Sequence, residues 1–262
     1  MTKKISGTYE WASTTANCVI GCSHDCQFCY SKTKNIKFGK RTPETWHQES
    51  ISVGAFSKLF GKRKGTIMFP TLHDITPKTL TACAVYIERM LGAGNDLLIV
   101  SKPHLKCIEF LCRAFTPYKD KILFRFTIGS ADDEVLKIWE PGAPSFKERV
   151  ESLKFAHSMG YKTSVSCEPM LDDKIEDVIS EVEDFVTDAI WLGKANKLIE
   201  RMTVNGVSKE VFDKGRELIN IQNDENIKVL YEKYKDNPKI KWKESIKIVV
   251  GLEVPTKKGL DV

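Results

Sequence analysis

The feature that most constrains this chain is a regular exchange between two hydrophobic periods. Short apolar or β-branched runs bounded by turn residues read as buried strands. They are "GTIMF" (Gly65–Phe69), "DLLIVS" (Asp96–Ser101), "KILFRFTI" (Lys121–Ile128), "KTSVSC" (Lys162–Cys167) and "AIWLG" (Ala189–Gly193). Between them apolar residues recur at helical spacing. Leu80, Cys83, Ala84, Ile87 and Leu91 follow Thr76-Pro77, a cap with proline at the first helical position. Pro103 opens a helix with His104, Ile108, Leu111, Cys112 and Phe115 on one face. Ser145 and Glu148 form a capping box before Val150, Leu153, Ala156 and Met159, and Gly160 ends that helix. Ile175, Val178, Ile179, Val182 and Val186 mark another.

Alternation of this kind builds right-handed βαβ units on a mainly parallel sheet. About six such units predict an α/β fold, an incomplete (β/α)6-type TIM barrel. "STTANCVI" before and at Cys18 reads as a first strand, and "KIVVGLEV" (Lys247–Val254) as a late one. From Lys197 the sequence becomes Lys/Glu-rich and helical. The expected division is a barrel core over residues 1–196 and a mostly helical C-terminal extension over 197–262, packed on that core.

Within this frame the cysteines are unevenly placed. The chain has 8 in 262 residues, and Cys18, Cys22, Cys26 and Cys29 fall in the stretch "NCVIGCSHDCQFCY". No apolar run approaches the ~18–20 residues of a membrane span, and no apolar h-region follows the N-terminal lysines. The expectation is a cytoplasmic protein with no membrane partner. In a reducing compartment, clustered thiols point to metal binding or redox chemistry and not to a disulfide framework. The net charge of +5 is spread along the chain, with local clusters at "KFGKR" (Lys37–Arg41) and "KRK" (Lys62–Lys64); it permits an anionic partner without establishing one.

Cys22, Cys26 and Cys29 form C-x3-C-x2-C. Three thiolates on a short loop can hold three irons of a [4Fe–4S] cluster and leave the fourth open to a small molecule. Gly21 permits a tight turn before the loop, and Phe28 and Tyr30 flank the third cysteine. A loop following the first strand of a parallel barrel lies at its C-terminal face, where such folds build active sites. Cys18 falls outside the spacing and reads as a packed core thiol. The competing reading of the four cysteines is a structural zinc knot that includes Cys18.

The spacing with its aromatic resembles the signature of the radical S-adenosylmethionine enzymes. Three further stretches, "GCSHDCQFCY", "IVSKP" (Ile99–Pro103) and "EPGAPSFKERVESLKFAHSMGYKTSVSCEPML" (Glu140–Leu171), resemble the spore photoproduct lyase-like branch, also called DNA-repair photolyase-like. The resemblance runs from about Gly21 to Leu171 and fades after about Asn196. It implies a [4Fe–4S] cluster on Cys22, Cys26 and Cys29 whose open iron chelates S-adenosylmethionine. An electron from the cluster then cleaves that cofactor to a 5′-deoxyadenosyl radical, which abstracts hydrogen from a substrate.

By the same resemblance, Lys102 pairs with the cofactor carboxylate and Thr127 hydrogen-bonds the ribose. Ser166 and Cys167 flank the adenine, and Phe28 and Tyr30 lie alongside the cofactor. Thr71 and His73, with Asp74, sit near its ribose or methionine end. The lyase carries a cysteine after its second strand that returns hydrogen to the product, whereas Phe69-Pro70-Thr71-Leu72-His73 has none. The lyase reaction itself is therefore not expected, and Cys167 is the candidate hydrogen-atom source from another strand. Expected partners are a nucleic acid or nucleotide substrate and an electron donor such as flavodoxin or ferredoxin. The alternatives are radical modification of a peptide or small metabolite, and a non-catalytic zinc protein that binds nucleic acid. Glu140, Glu168 and Arg125 read either as inward-facing groups, forming an internal charge network or binding a polar substrate, or as ordinary outward-facing groups.

Overall fold

A computed structural model describes residues 5–57 and 59–260; the start of the chain with its first two lysines, residues 1–4, lies outside the described residues. Seven parallel strands form one sheet: β1 (Thr14–Thr15), β4 (Ile67–Phe69), β5 (Leu97–Ser101), β6 (Ile122–Thr127), β7 (Lys162–Cys167), β8 (Ile190–Leu192) and β9 (Ile240–Trp242). They pair in that order, and the edge strands β1 and β9 share no ladder, so the barrel is open on one side. Between β1 and β4 the chain makes a small antiparallel hairpin, β2 (Val19–Ile20) with β3 (Ser50–Ile51).

Side-chain alternation separates two cores. On β6, Phe124 and Phe126 face the outer layer of helices with Ile99, Val165, Leu153 and Ile108. Leu123 belongs to the inner set, with Trp11, Met68, Leu98 and Trp191. Period-two strands bury both faces when helices cover one side and the barrel interior the other. Arg125, fully buried, resolves as an interior group: its Nη2 pairs with Asp188 at 2.9 Å, its Nε donates to Ser164 Oγ at 2.9 Å, and its guanidinium lies 4.6 Å from the Trp11 ring centroid.

The five strands read from sequence are present, as is the Ser145 cap, whose hydroxyl accepts from Glu148 N at 3.2 Å. Three expectations change. "STTANCVI" is two strands, because Asn17 leaves the sheet to bind the loop after β4: its Oδ1 accepts from Thr71 N and Leu72 N, both at 2.7 Å. The segment read as a late strand from Lys247 is instead the end of the helix Glu244–Val250, closed by Gly251 at φ +76°. The seventh strand is Ile240–Trp242, three residues with a central lysine, which gave no apolar run to read. The helix placed after Thr76-Pro77 starts later, at Leu80, since Thr76 to Thr79 form a turn with Thr79 N donating to Thr76 O at 3.0 Å.

Candidate active site at the carboxyl ends of the strands

The loops leaving the strands surround a cavity of about 590 Å³. Cys22, Cys26 and Cys29 line one wall with Phe28 and Tyr30, and Thr71, His73 and Asp74 follow from the loop after β4. Lys102, Thr127 and Ser166 enter from the ends of β5, β6 and β7. These eleven positions, each singled out from sequence for cluster or cofactor, therefore meet in one place. Cys167 does not. Alternation along β7 turns Ser166 inward and Cys167 outward into the helix-covered core, where it is fully buried. A hydrogen-atom source at Cys167 is corrected on that ground. Cys18 also lies away from the other three thiols, fully buried with its Sγ 3.9 Å from that of Cys83, so a zinc knot built on all four cysteines is not formed.

The cysteine loop is held by backbone contacts that leave its thiols facing inward. Cys22 N donates to Trp46 O at 3.0 Å and Gln27 N to Trp139 O at 2.9 Å. Gly21 sits at φ +89°, and a Cβ there would meet Gln48 O at 2.2 Å, so the position needs glycine on two counts. Gly142 of the E-P-G-A-P-S run packs against the loop so closely that a Cβ would stand 2.0 Å from Ser23 O. Glu49, buried, accepts from Ser23 N and Ser23 Oγ, each at 3.1 Å, and from Thr76 Oγ1 at 2.9 Å. Cys29 caps the helix Tyr30–Lys37, its Sγ accepting from Lys32 N at 3.3 Å.

Burial pushes all three thiols up. Cys22 is raised further by Asp74 and the neighbouring thiols, and Cys26 is raised although Lys102 opposes the shift. For Cys29, burial outweighs the Lys32 N–H. Bare thiolates are thus disfavoured here, and the site carries their charge well only with a cation among them. Soft thiolate donors suit zinc, copper(I) or an iron–sulfur cluster. Three thiols on a loop against a cavity fit a cluster with one accessible iron. A second donor set overlaps it: one ligand atom each from Cys22, His24 and Asp74 lie within 4.8 Å of one another.

Asp74 organises the charges behind the thiols. Its Oδ2 meets His24 Nδ1 at 2.9 Å, and its Oδ1 accepts from Lys102 N and Ser101 Oγ at 2.8 Å. Burial alone would raise this carboxyl, but Lys102 and His24 hold it well below the usual carboxylate range. Burial alone would likewise discharge Lys102. Cys26, Asp74 and Glu140 outweigh it and keep the ammonium well above its ordinary value, with Asp74 at 3.7 Å and Glu140 at 3.6 Å. Glu140 is buried and also binds Arg149 at 2.6 Å, so the internal network considered for it exists. Glu168 lines the cavity with Lys243 at 3.4 Å. His73 uses both ring nitrogens, Nδ1 toward Asp74 O at 2.9 Å and Nε2 toward Cys18 N at 3.2 Å, and so braces its loop. Tyr30 donates its hydroxyl to Thr71 O.

Sequence reading missed His24, Glu49, Arg149 and Arg201. His24 lies inside the cysteine loop, but its partner His104, at 2.9 Å between Nε2 atoms, is 80 positions away. Glu49 and Arg201 sit in stretches with no motif around them.

No protein-family model matches the chain. Its fold is that of spore photoproduct lyase. A variant of that enzyme aligns with a TM-score of 0.55 at 17% identity, over 92% of this chain and 78% of the other. The lyase complexed with a dinucleoside spore photoproduct aligns at 0.55 and 15%, with the same coverage. A further variant of it carries bound S-adenosylmethionine and the dinucleoside, at 0.55 and 14% identity. SuiB of Streptococcus suis bound to its precursor peptide SuiA aligns at 0.52 and 8%, over 94% of this chain but 54% of SuiB. In sequence the chain is similar to the uncharacterized protein ORF301 of Acidianus two-tailed virus, 26% identical over 216 residues, spanning 75% of this chain and 69% of that protein.

Proposed function

We propose that this chain is a radical S-adenosylmethionine enzyme. The observation that carries the reading is convergence: the thiols of the C-x3-C-x2-C loop and every cofactor position expected from sequence except Cys167 line the same cavity. Cys22, Cys26 and Cys29 hold a [4Fe–4S] cluster. When bound, the cluster and cofactor supply a carbon-centred radical that takes a hydrogen atom from a substrate. The protein's own residues position and shield. Lys102, kept charged by its carboxylate neighbours, presents an ammonium to the cofactor's carboxylate. The Thr127 and Ser166 hydroxyls stand at strand ends without a protein partner among the described residues and are free to accept or donate to the cofactor's ribose and adenine side. Phe28 and Tyr30 cover the flank, and the buried walls exclude water.

The substrate reading is a nucleic acid or nucleotide. It rests on the fold shared with a lyase that has been solved with a dinucleoside, and on the net charge of +5. A peptide substrate is the second reading, supported by the likeness to SuiB with its precursor peptide. A flavodoxin or ferredoxin would supply electrons. No helix among the described residues is long and apolar enough to cross a membrane.

The test is turnover. Reconstituted, reduced protein incubated with S-adenosylmethionine should release 5′-deoxyadenosine, and Cys26→Ala should lose both cluster and product. Equal product from Cys26→Ala would refute the ligand assignment. Addition of single-stranded DNA, RNA or nucleotides should raise the yield; stimulation by peptide alone would favour the second reading.

A further inference from the structure

The C-terminal extension supplies cavity wall next to the cysteine loop, with Asn205 Nδ2 donating to Gln27 O at 2.9 Å and Cys29 O at 3.2 Å, and it carries charge that the proposed chemistry does not use. Four cations line the cavity: Lys102, Lys194, Lys197 and Arg201. Lys102 is paired with Asp74 and Glu140, and Lys194 with Asp224 at 3.1 Å. Lys197 and Arg201 have no ion pair and no side-chain hydrogen bond among the described residues. The nearest group over which Arg201 lies is the ring of Tyr30, its guanidinium 5.9 Å from the centroid. Three other interior cations have a carboxylate within reach: Arg125 has Asp188 at 2.9 Å, Arg149 has Glu140 at 2.6 Å, and Lys243 has Glu10 at 2.7 Å.

An unpaired guanidinium in a cavity is costly. Burial pulls Arg201 below its ordinary value, and the acidic groups Cys29 and Glu168 only partly offset this. Glu168 itself is taken up by Lys243 at 3.4 Å. Arg201 therefore offers the cavity a planar fork of donors that no hydrogen bond or ion pair among the described residues satisfies. Lys197 is the N-cap residue of the helix Leu198–Asn205, its carbonyl accepting from Arg201 N at 3.0 Å, and it lines the same cavity. Two positive charges that make no direct ion pair among the described residues suit a dianion better than a single carboxylate, and a guanidinium fork matches phosphate geometry.

We infer that Arg201 and Lys197 form a phosphate-binding subsite that holds the substrate's phosphate group inside the cavity, on the side of the cysteine loop where Arg201 lies over Tyr30. This deepens the substrate part of the reading above and rests on it only for the word substrate; the anion site stands or falls on its own. The subsite draws a phosphorylated ligand into the cavity by a contact from the C-terminal extension, so that extension takes part in recognition as well as in packing.

Binding measured by calorimetry tests this without turnover. The probes are inorganic phosphate and uridine 5′-monophosphate, with uridine and acetate as controls, on the full chain with and without reconstituted cluster. Wild type should bind phosphate and the nucleotide more tightly than acetate and uridine. Arg201→Ala should weaken both phosphate probes about tenfold, the scale of a charge-assisted hydrogen bond, and leave uridine unchanged. Arg201→Lys should recover part of the loss. Lys197→Gln, at an exposed position, provides a second variant whose folding is not at risk, and it should weaken phosphate by a smaller factor. Phosphate affinity unchanged in both Arg201→Ala and Lys197→Gln would overturn the assignment, as would acetate binding as tightly as phosphate. If the cluster fails to assemble while phosphate binding still depends on Arg201, the cofactor reading fails and the subsite survives.

Discussion

Replacing Gly142 with alanine isolates the contact between the E-P-G-A-P-S run and the cysteine loop. The added Cβ would lie 2.0 Å from Ser23 O and 3.1 Å from His24 Cα. Real Cβ contacts do not close below about 3 Å, so one of the two loops must retreat by roughly 1 Å. The retreat would strain two backbone contacts, Gly142 N to His24 O at 3.1 Å and Gln27 N to Trp139 O at 2.9 Å. Overpacking of this size costs about 1–3 kcal/mol. The same displacement moves His24, which lies between Cys22 and Cys26, so the thiols lose their common focus. Gly142→Ala should therefore lower the denaturant midpoint and cut iron bound per chain after anaerobic reconstitution. Gly54→Ala is the control: nothing lies within 4 Å of its Cβ, and alanine suits its helix Val53–Phe56. Wild-type iron content together with wild-type stability in Gly142→Ala would refute the claim that this run sets the geometry of the cysteine loop.

Lys102→Ala should reduce S-adenosylmethionine affinity in equilibrium binding and cost about 3–5 kcal/mol of stability, since Asp74 and Glu140 are left buried without it; unchanged affinity would remove the lysine from the cofactor site. Burial, then His24, hold the His104 imidazole below its ordinary value of 6.5. Its folded value lies below its unfolded one, so its contribution to stability is present above pH about 6.5 and lost as the pH falls below that. The denaturant midpoint should drop from pH 7 to 5.5, and less so in His104→Gln; identical slopes would contradict the assignment. Cys167→Ala should leave 5′-deoxyadenosine formation unaltered while lowering the unfolding temperature, because its sulfur packs in the outer core; loss of product without loss of stability would return Cys167 to the chemistry.

The strand–helix exchange was legible because burial on both faces writes long apolar runs, as in Leu97–Ser101 and Ile122–Thr127. β9 was not, because Ile240–Trp242 is a short edge strand with Lys241 at its centre and takes its place from pairing with β8. The cysteine loop and the strand-end residues Lys102, Thr127 and Ser166 could be placed because position along a parallel strand fixes which face of the barrel a residue joins. That same alternation separates Ser166 from Cys167, a distinction that depends on strand register. The supporting groups were hidden for another reason. Glu49 reaches Ser23 and Thr76 across 26 and 27 positions, and no local pattern records a contact made only by folding.

The central claim is that the three loop thiols hold an iron–sulfur cluster with one iron open to S-adenosylmethionine. Electron paramagnetic resonance of the reduced, reconstituted protein, recorded before and after adding the cofactor, tests it most directly. A [4Fe–4S]⁺ signal whose g-values shift on addition is the predicted result. A colourless, silent protein holding one zinc per chain through Cys22, His24 and Asp74 would contradict it.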